Sequence, residues 1–115
     1  PLKDVLKKQG EVDILVNNAG VIGESSASLL ELDLNKALHT LNVNSLGPMR
    51  ITKLALPFMQ KGGVIAHITS LMGSIHDNGS GGYYDYRMSK AALNMFNKSL
   101  MFECPQLTCL VLHPG

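Results

Sequence analysis

The run "VIAHITS", residues 64–70, stays largely apolar without alternating, as expected of a strand covered on both faces rather than one lying half in water. Toward the amino end, "VDILV" at 12–16 is a second short β-branched run, closed by "NNAG", whose Asn and Gly favour a turn. Helical periodicity separates the two. Asp33 can cap a helix by accepting from the free amides of its first turn, and Leu34, Leu38 and Leu41 then share one face. A kink is expected near "NVNSLGP", because Pro48 removes an amide and disfavours a helical Gly47. The pattern resumes in "MRITKLALPFMQ", with Ile51, Leu54, Ala55 and Phe58 to one side, and ends at Lys61-Gly62-Gly63. Toward the carboxyl end, "LMGSIHDNGSGG" predicts a long polar, Gly-rich loop of the kind that carries function. The longest helix is expected from Tyr84 to Glu103, with Met88, Ala91, Ala92, Met95, Ser99 and Phe102 as a small, soft stripe. Pro105 stops it before the last strand, "LTCLVLH".

Strand, helix, strand, helix, strand, each strand unbroken in its apolarity, predicts crossovers in a parallel sheet and hence an α/β fold. Three strands leave sheet edges in need of cover. The chain starts on Pro1 and stops at "LHPG", so residues 1–115 are expected to be a single incomplete domain cut from something longer. Open sheets of this class bind ligands beyond the carboxyl ends of their strands. That rule selects "NNAG", Ser70 with its loop, and "HPG", all facing the start of the long helix.

Composition excludes several function classes. With 45% hydrophobic content, 17% charged residues and a formal net charge of +1, the 115 residues describe one globular unit, not a disordered chain or a coiled coil. Cations are scattered and no aromatics interleave with them, so no nucleic-acid partner is indicated. No apolar run approaches the ~20 residues that span a bilayer. The amino end has no signal-peptide layout, which makes the cytoplasm the default location. Cys104 and Cys109 read as buried or idle thiols, and His39, His76 and His113 lack ligand spacing, so no metal site is expected.

The chemistry concentrates in "YYDYRMSK", residues 83–90, where Tyr86 precedes Lys90 and Tyr83 precedes Arg87 by four positions. A phenol ionises near pH ~10, so it serves as an acid or base near neutrality only beside a cation that favours the phenolate. Four residues along a helix put either pair on one face. Tyr83 follows two glycines and can lie in the loop, whereas Tyr86 falls in the first helical turn. Lysine also suits the task better, since its compact ammonium can hold a phenolate and a sugar hydroxyl together.

Taken together, "DILVNNAG", "LNVNSLGP", "IAHITS", "YDYRMSKAALN" and "LHPG" resemble, in order and approximate spacing, the short-chain dehydrogenase/reductase family over nearly the whole chain. More narrowly, "SIHDNGSGGYYDYRMSKAALNM" is similar to the small NADP-dependent carbonyl reductases that include Sniffer and the C-factor-like proteins. The resemblance implies the second half of a Rossmann-type, doubly wound parallel sheet. It implies an NAD(P)H-dependent oxidoreductase, with NADP as cofactor and NAD as the alternative, acting on a small carbonyl or alcohol substrate. Tyr86 would protonate the carbonyl oxygen, Ser70 would hydrogen-bond it, and Lys90 would bind the nicotinamide ribose and favour the phenolate. Asn44 would fix a water linking Lys90 to solvent. Asn17, Ala19 and Gly20 would run beside the adenosine half of the cofactor, and Pro114 and Gly115 would begin the loop touching the nicotinamide amide.

Each implied role has a plainer rival: Asn17 can tie strands together, Asn44 can cap a broken helix, and Ser74 can compete with Ser70. Sixteen positions separate Ser70 from Tyr86 where many members have thirteen, which would land on Tyr83; the extra residues fit the "DNGSGG" loop. His67 replaces a usual Asn and is expected to be a packing or backbone-bonding position. The family's G-x-x-x-G-x-G phosphate cradle does not occur in these residues, and neither does the carboxyl-terminal substrate loop, so this stretch alone is expected to be inactive. Members commonly pair through helices matching residues 45–60 and 84–103, implying a homo-oligomer. The alternative is a non-enzymatic, C-factor-like signalling or scaffold protein that keeps the fold.

Overall fold

Three strands, β1 (Val12–Asn17), β2 (Met59–Ile68) and β3 (Thr108–Leu112), form a parallel sheet in that spatial order. The structure is a computed structural model that describes residues 1–24 and 28–115. Helix α1 (Leu2–Gln9) precedes β1; α2 (Leu34–Leu41), a π-helical turn (Asn42–Leu46) and α3 (Gly47–Ala55) connect β1 to β2; α4 (Tyr84–Glu103) connects β2 to β3. This is the α/β architecture expected, with helices packed on the sheet and β2 at its centre. Ile65 of β2 is fully buried and shares a core with Leu100, Cys104 and Cys109, against which Leu15, Leu56, Phe96 and Leu107 pack. Both cysteines are free thiols pushed up by burial, which keeps them protonated and inert.

Asp33 caps α2 as its position predicts, accepting from the amides of Asn35 and Lys36. The face that α2 buries differs from the leucine face. Ala37 and Thr40 are buried, while Leu34 and Leu38 are exposed, because α2 rests on α4 through its small residues. The kink before Pro48 is a π turn, and Gly47 stays helical at φ −56°, ψ −58°, contrary to the expectation for a residue before proline. One wider turn absorbs the missing amide. In a regular α-helix Pro48 would be the donor to the Asn44 carbonyl, and it has no N–H to give.

Helix α3 ends earlier than its apolar pattern suggests. A 3₁₀ turn (Leu56–Phe58) follows Ala55, and Met59 already belongs to β2, because Pro57 cannot supply the next helical amide. Regular pairing with β1 then resumes at Val64, where the unbroken apolar run begins. Helix α1 was not anticipated. It carries Asp4 in its first turn, Lys7 and Lys8 in its last, and buries Leu6. Among the described residues, no helix is long and apolar enough to cross a membrane.

Candidate active site

The carboxyl ends of the strands meet the first two turns of α4. Thr69 donates its amide to the Leu112 carbonyl, joining the ends of β2 and β3, and the Leu71 amide donates to His113 Nδ1 at 3.3 Å. Ser70 opens a 3₁₀ turn (Leu71–Gly73) and its Oγ accepts from the Met72 amide at 3.1 Å. Its hydroxyl proton is therefore available to donate elsewhere. Gly73 lets this turn rest directly on α4: a Cβ there would lie 2.8 Å from Lys90 Cβ and 2.9 Å from the Lys90 carbonyl carbon. Ser74, the rival of Ser70, accepts from the Asp77 amide within the loop.

Lys90 is 4% exposed, and among the described residues its Nζ has one hydrogen-bond partner, the Ile68 carbonyl at 3.0 Å. Two ammonium protons remain for other acceptors. Burial pushes the Lys90 ammonium below its usual range. The same Nζ lies 5.8 Å from the centroid of the Tyr86 ring, one turn back along α4. Gly20 backs onto this ammonium. A Cβ at Gly20 would stand 3.4 Å from both Lys90 Nζ and Asn44 Oδ1.

The Tyr83–Arg87 pairing is not assembled. Tyr83 is a left-handed residue outside the helix, at φ 50°, ψ 42°. Arg87 turns away to the loop, donating to the carbonyls of Gly81 and Gly82 and to Ser80 Oγ at 3.1–3.3 Å. It staples the "DNGSGG" loop to α4.

Asn44 is fully buried and its side chain is committed: Oδ1 accepts from the Val21 amide at 2.8 Å, and Nδ2 donates to the Val21 carbonyl and to Ser89 Oγ. It clamps the segment after "NNAG" rather than capping a broken helix. Asn17 is likewise turned inward. Its Nδ2 donates to Thr52 Oγ1 and to His67 Nδ1, both at 3.1 Å, so it ties β1 to α3 and β2. Ala19, Gly20, Pro114 and Gly115 are exposed at the strand ends. No group of three metal-ligating side chains occurs among the described residues.

Periodicity and spacing did not reveal the partners of these residues. Thr40 and Asn44 lie four apart on one helical stretch, Asp85 and Ser89 four apart on α4, and the four side chains meet in buried pairs. The only trace in the sequence is an acid in the first turn of a helix, which ordinarily reads as a solvated cap.

The chain matches the family model described as short chain dehydrogenase over residues 2–115. It is 46% identical over 110 residues to C-signal of Myxococcus xanthus, covering 92% of this chain and 66% of that one. Carbonyl reductase Sniffer of D. melanogaster superposes with TM-score 0.87 at 34% identity, covering 99% of this chain and 51% of that one. A carbonyl reductase from Pseudomonas aeruginosa, solved in complex with NADP, gives TM-score 0.87 at 29% identity, with 99% and 50% covered. The chain thus spans about half to two thirds of the length of these relatives.

His67 supplies a test of this buried polar layer. It is fully buried, bonded by side chain rather than backbone, and its Nε2 has no partner among the described residues. Burial pushes it down to about 4 from an ordinary 6.5. Between those values the unfolded chain binds more protons than the folded one, so stability rises with pH. The contribution is complete above pH 6.5 and is lost as the pH falls toward 4; it amounts to ~3 kcal/mol at most. Urea unfolding between pH 7 and 4 should show this slope, and His67→Asn should remove most of it; an unchanged slope would contradict the assignment.

Proposed function

This chain belongs to the short-chain dehydrogenase family, and from that premise we propose that it is the catalytic half of an NAD(P)H-dependent oxidoreductase acting on a ketone, aldehyde or secondary alcohol. The observation that carries the reading is Lys90: a buried ammonium with one backbone acceptor, one turn from Tyr86, at the carboxyl ends of a parallel sheet. NADP(H) is the favoured cofactor, supported by likeness to a carbonyl reductase solved with NADP.

The residues present fit such a group in part. The two unpaired protons of Lys90 suit vicinal ribose hydroxyls, and the bare backbone of Gly20 leaves that ammonium approachable. Ala19 and Gly20, with the backbone of Asn17, would run beside the adenosine half, and Pro114 and Gly115 beside the nicotinamide amide. When bound, the cofactor would supply the hydride. Ser70 donates its free hydroxyl proton to the substrate carbonyl oxygen, and Tyr86 protonates that oxygen as negative charge builds on it. The Lys90 ammonium favours the phenolate left behind. Water held at the Asn44 carbonyl would return a proton to Lys90 and so to Tyr86. With no pyrophosphate cradle among them, the 115 residues alone are expected to show no turnover.

Homo-oligomerisation belongs to the same reading. Met88, Met95 and Phe102 are exposed along α4, Met95 at 67% and Phe102 at 78%, and Met88 lines a cavity with Leu34 and Leu38 of α2. Light scattering on the full-length protein should give a multiple of the monomer mass that Met95→Lys reduces; a monomeric wild type would contradict it.

A second reading is favoured by the 46% identity to C-signal: a signalling or scaffold protein that keeps the fold. Tyr86→Phe separates the two. In the full-length protein it should cut NADPH-dependent carbonyl reduction roughly 10²- to 10⁴-fold while leaving the circular dichroism spectrum unchanged. Full activity in the variant would remove Tyr86 from the chemistry.

A further inference from the structure

Asp85 is an ionisable side chain that proton transfer does not use, yet it is 1% exposed. A carboxylate so placed is costly unless it is hydrogen-bonded. Its partners are specific. Oδ2 accepts from Thr40 Oγ1 at 2.7 Å, and Oδ1 accepts from the backbone amide of Tyr86 at 2.9 Å. It also lies in the first turn of a 20-residue helix, where unpaired amides favour negative charge. Gly23 closes another side. Its φ is +74°, and a Cβ there would collide with the Asp85 carboxylate and lie 2.7 Å from Thr40 Oγ1, so only glycine permits this approach.

The other end of Tyr86 is held in the same way. Ser89 Oγ donates to the Tyr86 carbonyl at 2.7 Å and receives a hydrogen bond from Asn44 Nδ2 at 2.9 Å. Ser45 Oγ adds a bond to the Ser89 carbonyl at 2.7 Å. Two rungs, Thr40 to Asp85 and Asn44 to Ser89, therefore grip the amide and the carbonyl of one residue. That residue carries the phenol.

On the reading of Tyr86 as the acid, we propose that Asp85 is a positioning residue: through Thr40 and Gly23 it fixes the first turn of α4, and with it the direction in which the Tyr86 phenol leaves the helix. The carboxylate is suited to this because it can accept from a hydroxyl and an amide at once, without donating to either. Its depth also shields the contact from competing water.

The test uses the full-length protein. Asp85→Ala should lower kcat for NADPH-dependent carbonyl reduction on the order of 10-fold or more, with KM for NADPH within about 2-fold of wild type. Asp85→Asn should recover most of that kcat. Its Oδ1 still accepts from the Tyr86 amide, while its Nδ2 donates to Thr40, whose hydroxyl turns to the Lys36 carbonyl already 3.2 Å away. Amide hydrogen exchange gives a readout independent of turnover: the Tyr86 amide should exchange faster in Asp85→Ala and not in Asp85→Asn. Should Asp85→Ala fail to fold, Thr40→Val, which removes one contact, carries the same expectation of lowered kcat and faster exchange. Wild-type kcat in Asp85→Ala, or equal losses in the Ala and Asn variants, would overturn the proposal. A full-length wild type without NADPH turnover would defeat the oxidoreductase reading instead, and the exchange rates would still decide whether Asp85 holds Tyr86.

Discussion

Two side chains one turn apart on the stretch before Pro48, Thr40 and Asn44, meet two side chains one turn apart on α4, Asp85 and Ser89, and the geometry of the candidate site depends on those buried contacts. Each lies where water cannot substitute for a missing partner, so each must be satisfied by the other. Helix-to-helix packing by apolar groups alone would tolerate a small slide or rotation. Directional hydrogen bonds at 2.7–2.9 Å do not, and they set the register of α4 against the π turn.

The sheet sets the other half of the geometry. Parallel strands deliver their carboxyl ends to one side, so Ile68, Thr69 and Ser70 arrive where Lys90 can reach the Ile68 carbonyl. Gly73 then allows the Ser70 turn to lie against the backbone of Lys90. The π turn contributes in a different manner: it carries Asn44, whose side chain holds Val21 through both its oxygen and its nitrogen. Lys90 and Tyr86 on α4 and Ser70 after β2 thus lie at the same end of the sheet.

Much of this was legible in the sequence. The alternation of apolar runs with helical periods predicted the parallel sheet, the Asp33 cap and the span of α4 from Tyr84 to Glu103. Misses came where local pattern met a stronger local rule or an unseen neighbour. Pro57 cut α3 short despite the apolar stripe continuing to Phe58. Leu34 and Leu38 mark an apolar face but not what covers it, and α4 covers Ala37 and Thr40 instead. The four-residue spacing of Tyr86 and Lys90 could be read because both lie on one helix. Asp85 and Thr40 are 45 positions apart, and no periodicity links them. The bonds from the Asn17 side chain to Thr52 and His67 likewise span 35 and 50 positions, and only the packed sheet reveals them.

Lys90 and Tyr86, one turn apart on α4 at the strand ends, are proposed to act as one functional pair. A crystal structure of the full-length protein with NADP tests it most directly. A ribose hydroxyl should lie within about 3 Å of Lys90 Nζ, with the Ile68 contact retained and the Tyr86 phenol beside the nicotinamide. A dinucleotide bound with its ribose away from Lys90, or with Tyr83 in the place assigned to Tyr86, would contradict it.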